Sequence, residues 1–176
     1  VSLNTARIGF TRTLERMGAN IALHHEGFEG KEPYGSITVR YEPCLRGCEV
    51  PAEKIPTIID EIPVLALVAA HARGITVFRE VGELRVKETD RLAAAMEGLK
   101  ALGVDAWVDG SDLYVEGQPG LSAPSGLTFD SHCDHRLAMT WALVGLVGEH
   151  PVIVENFDSV KISYPQFLLD MQRLAK

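Results

Sequence analysis

Arg85-Val86-Lys87-Glu88-Thr89-Asp90-Arg91 sets three cations and two carboxylates side by side in one short run. Groups of this kind can hold an anion and move protons next to it. Arginine offers a fork of donors to carboxylate or phosphate, and lysine offers a compact charge. The run follows a β-like stretch, Ile75-Thr76-Val77-Phe78, and a connection through Gly82. Residues 92–100 come next, rich in Leu, Ala and Met, and read as a helix that ends at Gly103. Thr89 is the expected N-cap, which leaves Lys87 and Glu88 in the loop and Arg91 in the first turn. A cation there opposes the helix dipole, and a bound anion would offset that cost. The plainer alternative is a solvated, charge-balanced start to a helix.

Two apolar helices carry the other charged positions. Asp60 and Glu61 precede Pro63, which suits the first turn of a helix over residues 64–72 that stops at Gly74. It is apolar on every face until His71, the pattern of a helix buried all round. A second such helix covers residues 137–147 and stops near Gly148. Ser131-His132-Cys133-Asp134-His135-Arg136 introduces it. If the first turns of the two helices meet, their free amides and positive dipole ends point outward together. Lys87, Arg91 and Arg136 would then make a face suited to phosphate or carboxylate. Asp60 would be held ionised among them and Glu88 tuned by its neighbours, as proton shuttling on a phosphorylated substrate needs. Two alternatives stand beside this reading. Asp60 can simply cap its helix, and Arg136 can pair with Asp134 or Glu61.

The remaining chemistry is sparse. His132, Cys133, Asp134 and His135 are all possible metal ligands, yet neighbours in one loop rarely complete a coordination shell, so a metal is not expected there. Cys44 and Cys48 make half a zinc site without a matching second half. With Cys133 they read as reduced thiols of a cytoplasmic protein. No glycine-rich nucleotide loop, serine elbow or CxxC pair is present.

The chain has 176 residues, 46% hydrophobic and 23% charged, enough for one well-buried domain. A net charge of -7 argues against nucleic acid and against an anionic membrane as partners. It does not exclude an anionic small ligand in a locally positive cleft. No apolar run has the length of a membrane span. The first residue is Val1, close to the start of a helix, which suggests a piece of a longer protein.

Asn4 or Thr5 can cap a helix over residues 6–17, with Ile8, Phe10, Leu14 and Met17 on its buried side. Residues 20–24 and 36–41 read as two strands of a hairpin with a long polar connection. His24 and His25 point to opposite faces there and cannot chelate together. The pattern then repeats. Residues 60–78 (acid, buried helix, Gly turn, short strand) parallel residues 134–154. The helix over 92–102 with strands at 104–108 and 113–116 parallels the opening helix and hairpin. Residues 159–161 and the helix over 165–174 copy the Lys87 loop and its helix. The expected fold is a single α/β domain, a pseudo-threefold repeat of helix and short-strand units around buried central helices. Such repeats bring corresponding loops to one end. Asp60, Lys87, Asp134, Arg136 and Lys161 all fall in those loops.

Leu84-Arg85-Val86-Lys87-Glu88-Thr89-Asp90-Arg91-Leu92 and His132-Cys133-Asp134-His135-Arg136-Leu137-Ala138-Met139 closely resemble the 5-enolpyruvylshikimate-3-phosphate synthase family. Ile59-Asp60-Glu61-Ile62-Pro63 and Ser163-Tyr164-Pro165-Gln166-Phe167 resemble it too, in the same order. The resemblance spans most of the chain and points to the C-terminal domain of a two-domain enzyme. It implies transfer of the enolpyruvyl group of phosphoenolpyruvate to the 5-hydroxyl of shikimate 3-phosphate, with release of phosphate and without a metal or organic cofactor. It further implies that Asp60 contacts the shikimate hydroxyls and accepts a proton. Lys87 would contact the same substrate and shuttle protons near the bridging oxygen. Glu88 would act as acid and base at the methylene carbon, and Arg91 and Arg136 would clamp phosphoenolpyruvate.

Two departures accompany the resemblance. Where many members have a phosphoenolpyruvate-binding Lys before the Ser/Thr-aromatic-Pro element, Ile162 stands here, with Lys161 one residue earlier. The family's other domain is also absent, with its Lys-Ser-rich phosphate loop and Ser-Ser-Gln stretch. Because catalysis in the family needs both domains to close, this chain alone is expected to be inactive. UDP-N-acetylglucosamine enolpyruvyl transferase shares the architecture, but the Lys87-Glu88-x-x-Arg91 spacing fits the shikimate enzyme better. A non-catalytic anion-binding module is the alternative from another class.

Overall fold

A helix with no polar face must be enclosed, and two such helices organise this chain. The computed structural model describes residues 1–174. Helix α2 (Ile62–Ala70) has Pro63 in its first turn, where the missing amide costs no hydrogen bond. Ile62, Leu65, Ala66, Ala69 and Ala70 are fully enclosed, and Val64 and Val68 are half-buried. Each large aliphatic side chain removed from water in this way contributes about 1.5–3 kcal/mol. Helix α4 (His135–Val147) buries Leu137, Ala138, Trp141 and Val144. Contrary to the sequence expectation, it is not enclosed on every side, because Leu146 in its last turn reaches solvent. Helix α3 (Arg91–Ala101) packs on both, burying Leu92, Ala95 and Leu99.

Three sheets surround these helices. Strands β1 (Asn20–Glu29) and β2 (Glu32–Arg40) form an antiparallel ribbon following α1 (Gly9–Arg16). A four-stranded sheet has the order β3 (Glu49–Val50), β4 (Gly74–Phe78), β6 (Asp112–Gly117), β5 (Ala106–Asp109). Its β3–β4 pair is parallel and the others antiparallel. Strands β7 (Thr128–Asp130) and β8 (Ile153–Glu155) make a second parallel pair. Each parallel pair is joined through one of the apolar helices, β3–α2–β4 and β7–α4–β8. Residues 60–78 and 134–154 therefore share an apolar helix that leads into a strand of a parallel pair. The tail forms α5 (Val160–Ser163) and α6 (Phe167–Leu174), with Phe167 and Val160 buried against Ala138. No helix of the described residues is long and apolar enough to cross a membrane.

Local chemistry moved several boundaries. Helix α1 begins at Gly9 rather than at residue 6, because Asn4 closes a turn of its own first. The Asn4 side chain accepts from the Ala6 amide, and its carbonyl accepts from Arg7 and Ile8. The β1–β2 connection is not long. The strands run on to Glu29 and Glu32 and turn over two residues, Gly30 and Lys31. Gly30 supplies the positive φ of 64° that such a hairpin requires. Glu, Gly and Pro near the tip read as loop residues, yet the largely exposed tip of the ribbon tolerates them. A register shift between His25 and Gly27 absorbs the irregularity. The tail helix starts at Phe167 rather than Pro165.

Helix α3 lies close to α4 at one point, where Gly98 faces the Trp141 ring. A Cβ on Gly98 would come within 2.2 Å of that ring, which is itself stacked on Phe129 at 4.9 Å between centroids. Gly98→Ala should therefore lower stability by about 1–3 kcal/mol through overpacking, despite alanine's better helix propensity. Urea unfolding should show a lower midpoint at unchanged slope.

Candidate active site

Helix α3 starts one residue later than Thr89 would place it. Asp90 is the N-cap, its carboxylate accepting from the Ala93 amide at 2.9 Å, so Arg91 is the first helical residue. Aspartate outcompetes threonine because its carboxylate also complements the positive end of the helix. The 3-10 turn Gly82–Val86 delivers Lys87 to the same place, in extended backbone just before the helix.

Arg91 is the centre of the cluster, 1% exposed, and three carboxylates fill its fork. Its Nε donates to Asp134 at 2.7 Å, one Nη to Asp60 at 2.8 Å and the other to Glu88 at 2.5 Å. The anion that offsets this first-turn cation is therefore supplied by the protein itself. Asp134 is as deeply buried and has a double duty. One oxygen takes Arg91, and the other caps α4 by accepting from the amides of Arg136 (2.8 Å) and Leu137 (3.4 Å). Burial alone works against the charged form of Arg91, but the Asp134 hydrogen bond and the surrounding carboxylates outweigh it and keep the guanidinium charged.

Asp60 lies where three cations meet. Besides Arg91, it faces Arg136 at 3.4 Å and Lys87 at 3.7 Å. Partial burial acts to raise its carboxyl, but Arg136, Lys87 and Arg91 together outweigh that effect and hold it below the usual carboxylate range. It does not cap α2, since Glu61 occupies that position and makes no capping bond. Arg136 pairs loosely, to Glu61 at 3.3 Å and to Asp60, and not to Asp134, whose oxygens are already engaged. Lys87 is held by Glu83 at 2.5 Å, which together with Asp60 raises its ammonium above the usual range.

The structure thus brings Asp60, Lys87, Glu88, Arg91 and Arg136 to one rim. Lys161 does not join them. It is exposed on α5 and pairs with Asp158. His132 turns away from the cluster, with Asp130 and Glu97 as its nearest carboxylates, while Cys133 is exposed and Asp134 points inward. Sequence reasoning did not find Glu83. Its spacing four residues before Lys87 was the available signal, usable only once the intervening turn is known. Arg7 was also missed. An open polar depression of about 400 Å³ lies beside the cluster, lined by Arg7, Thr57, Ile59, Asp60, Glu61 and Arg136 among others.

The mixed α/β fold that presents this rim matches the folds of solved enolpyruvyl transferases. The solved structure of EPSP synthase from Acinetobacter baumannii superposes with a TM-score of 0.90 at 34% identity, covering 99% of this chain and 40% of that one. The enolpyruvyl transferase NikO from Streptomyces tendae follows at 0.69 and 25% identity, covering 96% of this chain and 35% of that one. A family model described as EPSP synthase (3-phosphoshikimate 1-carboxyvinyltransferase) matches residues 1–171, and the chain belongs to this family. Among curated relatives named 3-phosphoshikimate 1-carboxyvinyltransferase, that of Roseiflexus sp. (strain RS-1) is 44% identical over 176 residues, all of this chain and 40% of the relative. That of Methylobacterium radiotolerans is 47% identical over 175 residues, covering 99% of this chain and 38% of the relative. The chain thus spans about 40% of the length of such relatives.

Two outcomes follow from the cluster. Asp134→Ala leaves the buried Nε of Arg91 without its acceptor and removes the α4 cap, so it should cost about 3 kcal/mol in urea unfolding, while Lys161→Ala leaves stability unchanged. Because the folded Asp60 carboxyl is lowered, its stabilisation is present above its ordinary value of 3.8 and is lost as pH falls through the lower folded value. Thermal melts of Asp60→Asn should therefore fall less steeply on acidification than those of the parent chain.

Proposed function

We propose that this chain is the C-terminal domain portion of a 3-phosphoshikimate 1-carboxyvinyltransferase, serving aromatic amino-acid biosynthesis in the cytoplasm. The complete enzyme would join the enolpyruvyl group of phosphoenolpyruvate to the 5-hydroxyl of shikimate 3-phosphate and release phosphate, without a metal or organic cofactor. The observation that carries this reading is the convergence of Asp60, Lys87, Glu88, Arg91 and Arg136 within one ion-pair network at the starts of α2, α3 and α4. The same reading takes the two β–helix–β units and the α1 hairpin as parts of a pseudo-threefold repeat.

Addition requires the 5-hydroxyl proton to leave as its oxygen bonds to the enol carbon, while a proton reaches the methylene carbon. Elimination reverses the second transfer and expels phosphate. Asp60 and Lys87 are assigned to the hydroxyl side and Glu88 to the methylene carbon, with Arg136 facing phosphoenolpyruvate and Arg91 behind it on the same side, reaching the substrate only if it releases a protein carboxylate. A carboxylate held below its usual range is a weak base. An arriving anion would neutralise Arg136 and Lys87, lift that restraint on Asp60 and turn it into a better proton acceptor. The geometry divides the two arginines. Arg136, with contacts of 3.3–3.4 Å, can release Asp60 for a substrate anion, whereas Arg91 is full and positions Asp60 and Glu88.

Phosphoenolpyruvate and shikimate 3-phosphate should bind this chain weakly. Turnover should appear only when the complementary part of a relative is added; turnover by this chain alone, or binding of a UDP-sugar in place of shikimate 3-phosphate, would defeat the proposal. In the mixed enzyme Glu88→Gln should lower kcat by about 100-fold or more, as expected for loss of a proton-transfer group. Arg136→Ala should weaken phosphoenolpyruvate by roughly 2–3 kcal/mol in a calorimetric titration, the range of a charge-assisted contact.

A further inference from the structure

We propose that Arg7 is an anion-binding residue of this site, taking the phosphate or carboxylate group of the acidic substrate together with Arg136. The inference rests on the functional reading above and adds a residue to it.

The charge balance of the cluster calls for another cation. Asp60, Glu61, Glu83, Glu88 and Asp134 face Lys87, Arg91 and Arg136, five carboxylates against three cations. A phosphorylated or carboxylated molecule approaching that set meets a surplus of two negative charges. Nor are the three cations idle. Arg91 is enclosed and saturated, Lys87 is bound by Glu83, and Arg136 is shared between Asp60 and Glu61. Desolvated anions are accepted only where a counter-charge is ready.

Arg7 meets that need. It lines the same open depression as Asp60, Glu61 and Arg136, and it is exposed. Among the described residues its side chain makes no ion pair and no hydrogen bond, so nothing has to be displaced before it takes an anion. Its backbone, by contrast, is well anchored. The Leu3 amide donates to the Pro33 carbonyl, the Asn4 side chain donates to both Glu32 oxygens at 2.9 and 3.1 Å, and the Arg7 amide donates to the Asn4 carbonyl at 2.8 Å. The fixed backbone spares the cost of ordering the chain around Arg7, and only the side chain's own rotamer freedom is lost on binding. The depression, about 400 Å³, is large enough for a small phosphorylated metabolite.

The test is a calorimetric titration of phosphoenolpyruvate onto the 176-residue chain and its Arg7→Ala, Arg7→Lys and Arg12→Ala variants, with circular dichroism and urea unfolding on each. Arg12 is a control, an exposed cation on α1 already paired with Glu15. Arg7→Ala should weaken binding at least tenfold with an unchanged fold, Arg7→Lys should recover part of the loss, and Arg12→Ala should bind like the parent. Parental affinity in Arg7→Ala, or an equal loss in Arg12→Ala, would overturn the role of Arg7 while leaving the functional reading intact. Failure of the parent chain to bind phosphoenolpyruvate at all would overturn both.

Discussion

A guanidinium and a carboxylate, both shut away from water, join the first turns of α3 and α4. Neither Arg91 nor Asp134 could remain charged there alone, since desolvating either group costs several kcal/mol. Together they are satisfied. Asp134 gives one oxygen to Arg91 and the other to the α4 amides, so a single carboxylate ties one helix start to another. The remaining arms of Arg91 then hold Asp60 and Glu88 in place. The geometry of the rim depends on this pair more than on any residue that faces solvent.

That arrangement divides the cations by how firmly they are held. Arg91 is fixed by short contacts on every side, whereas Arg136 is tied at longer distances and half-exposed, and Lys87 is restrained chiefly by the exposed Glu83. A binding site benefits from both kinds. The fixed arginine keeps Asp60 and Glu88 oriented with little reorganisation, and under the proposed function the loosely tied groups would exchange a protein carboxylate for a substrate anion. The apolar helices beneath explain why the rim can be rigid. Leu65, Leu99, Leu137 and Trp141 are packed without exposure, and such interiors yield little when one side chain is displaced.

Much of the fold was legible in order and in kind. The apolar runs of α2 and α4 are read directly from the absence of a polar face, the start of α2 from Pro63 and the end of α4 from Gly148, whereas α2 ends at Ala70 and Gly74 opens β4 instead of stopping the helix. Strands β4, β5 and β6 were each placed to within two residues, because β-branched and aromatic residues alternate there between clear breakers. The β1–β2 ribbon is legible only where polar and apolar residues alternate, over 20–24 and 36–40; toward the tip His, Glu, Gly and Pro break that alternation, so the strands look shorter than they are. Choosing Thr89 over Asp90 as the cap of α3 was a competition between adjacent side chains that spacing alone does not decide.

Lys87, Glu88 and Arg91, though not Glu83 or Arg7, are nameable as candidates from types and spacing, since a lysine, a glutamate and an arginine at those intervals beside a helix start are local facts. What each one touches is not. That Arg91 is enclosed by the protein's own carboxylates, that Arg136 leans on Glu61 and Asp60 rather than Asp134, that Lys161 lies apart and that Arg7 has no partner among the described residues are matters of how distant segments pack. Local sequence sets backbone preference and side-chain chemistry. Only packing α2, α3 and α4 together decides which charges lose their water, and therefore which must find partners and which are left to receive a ligand.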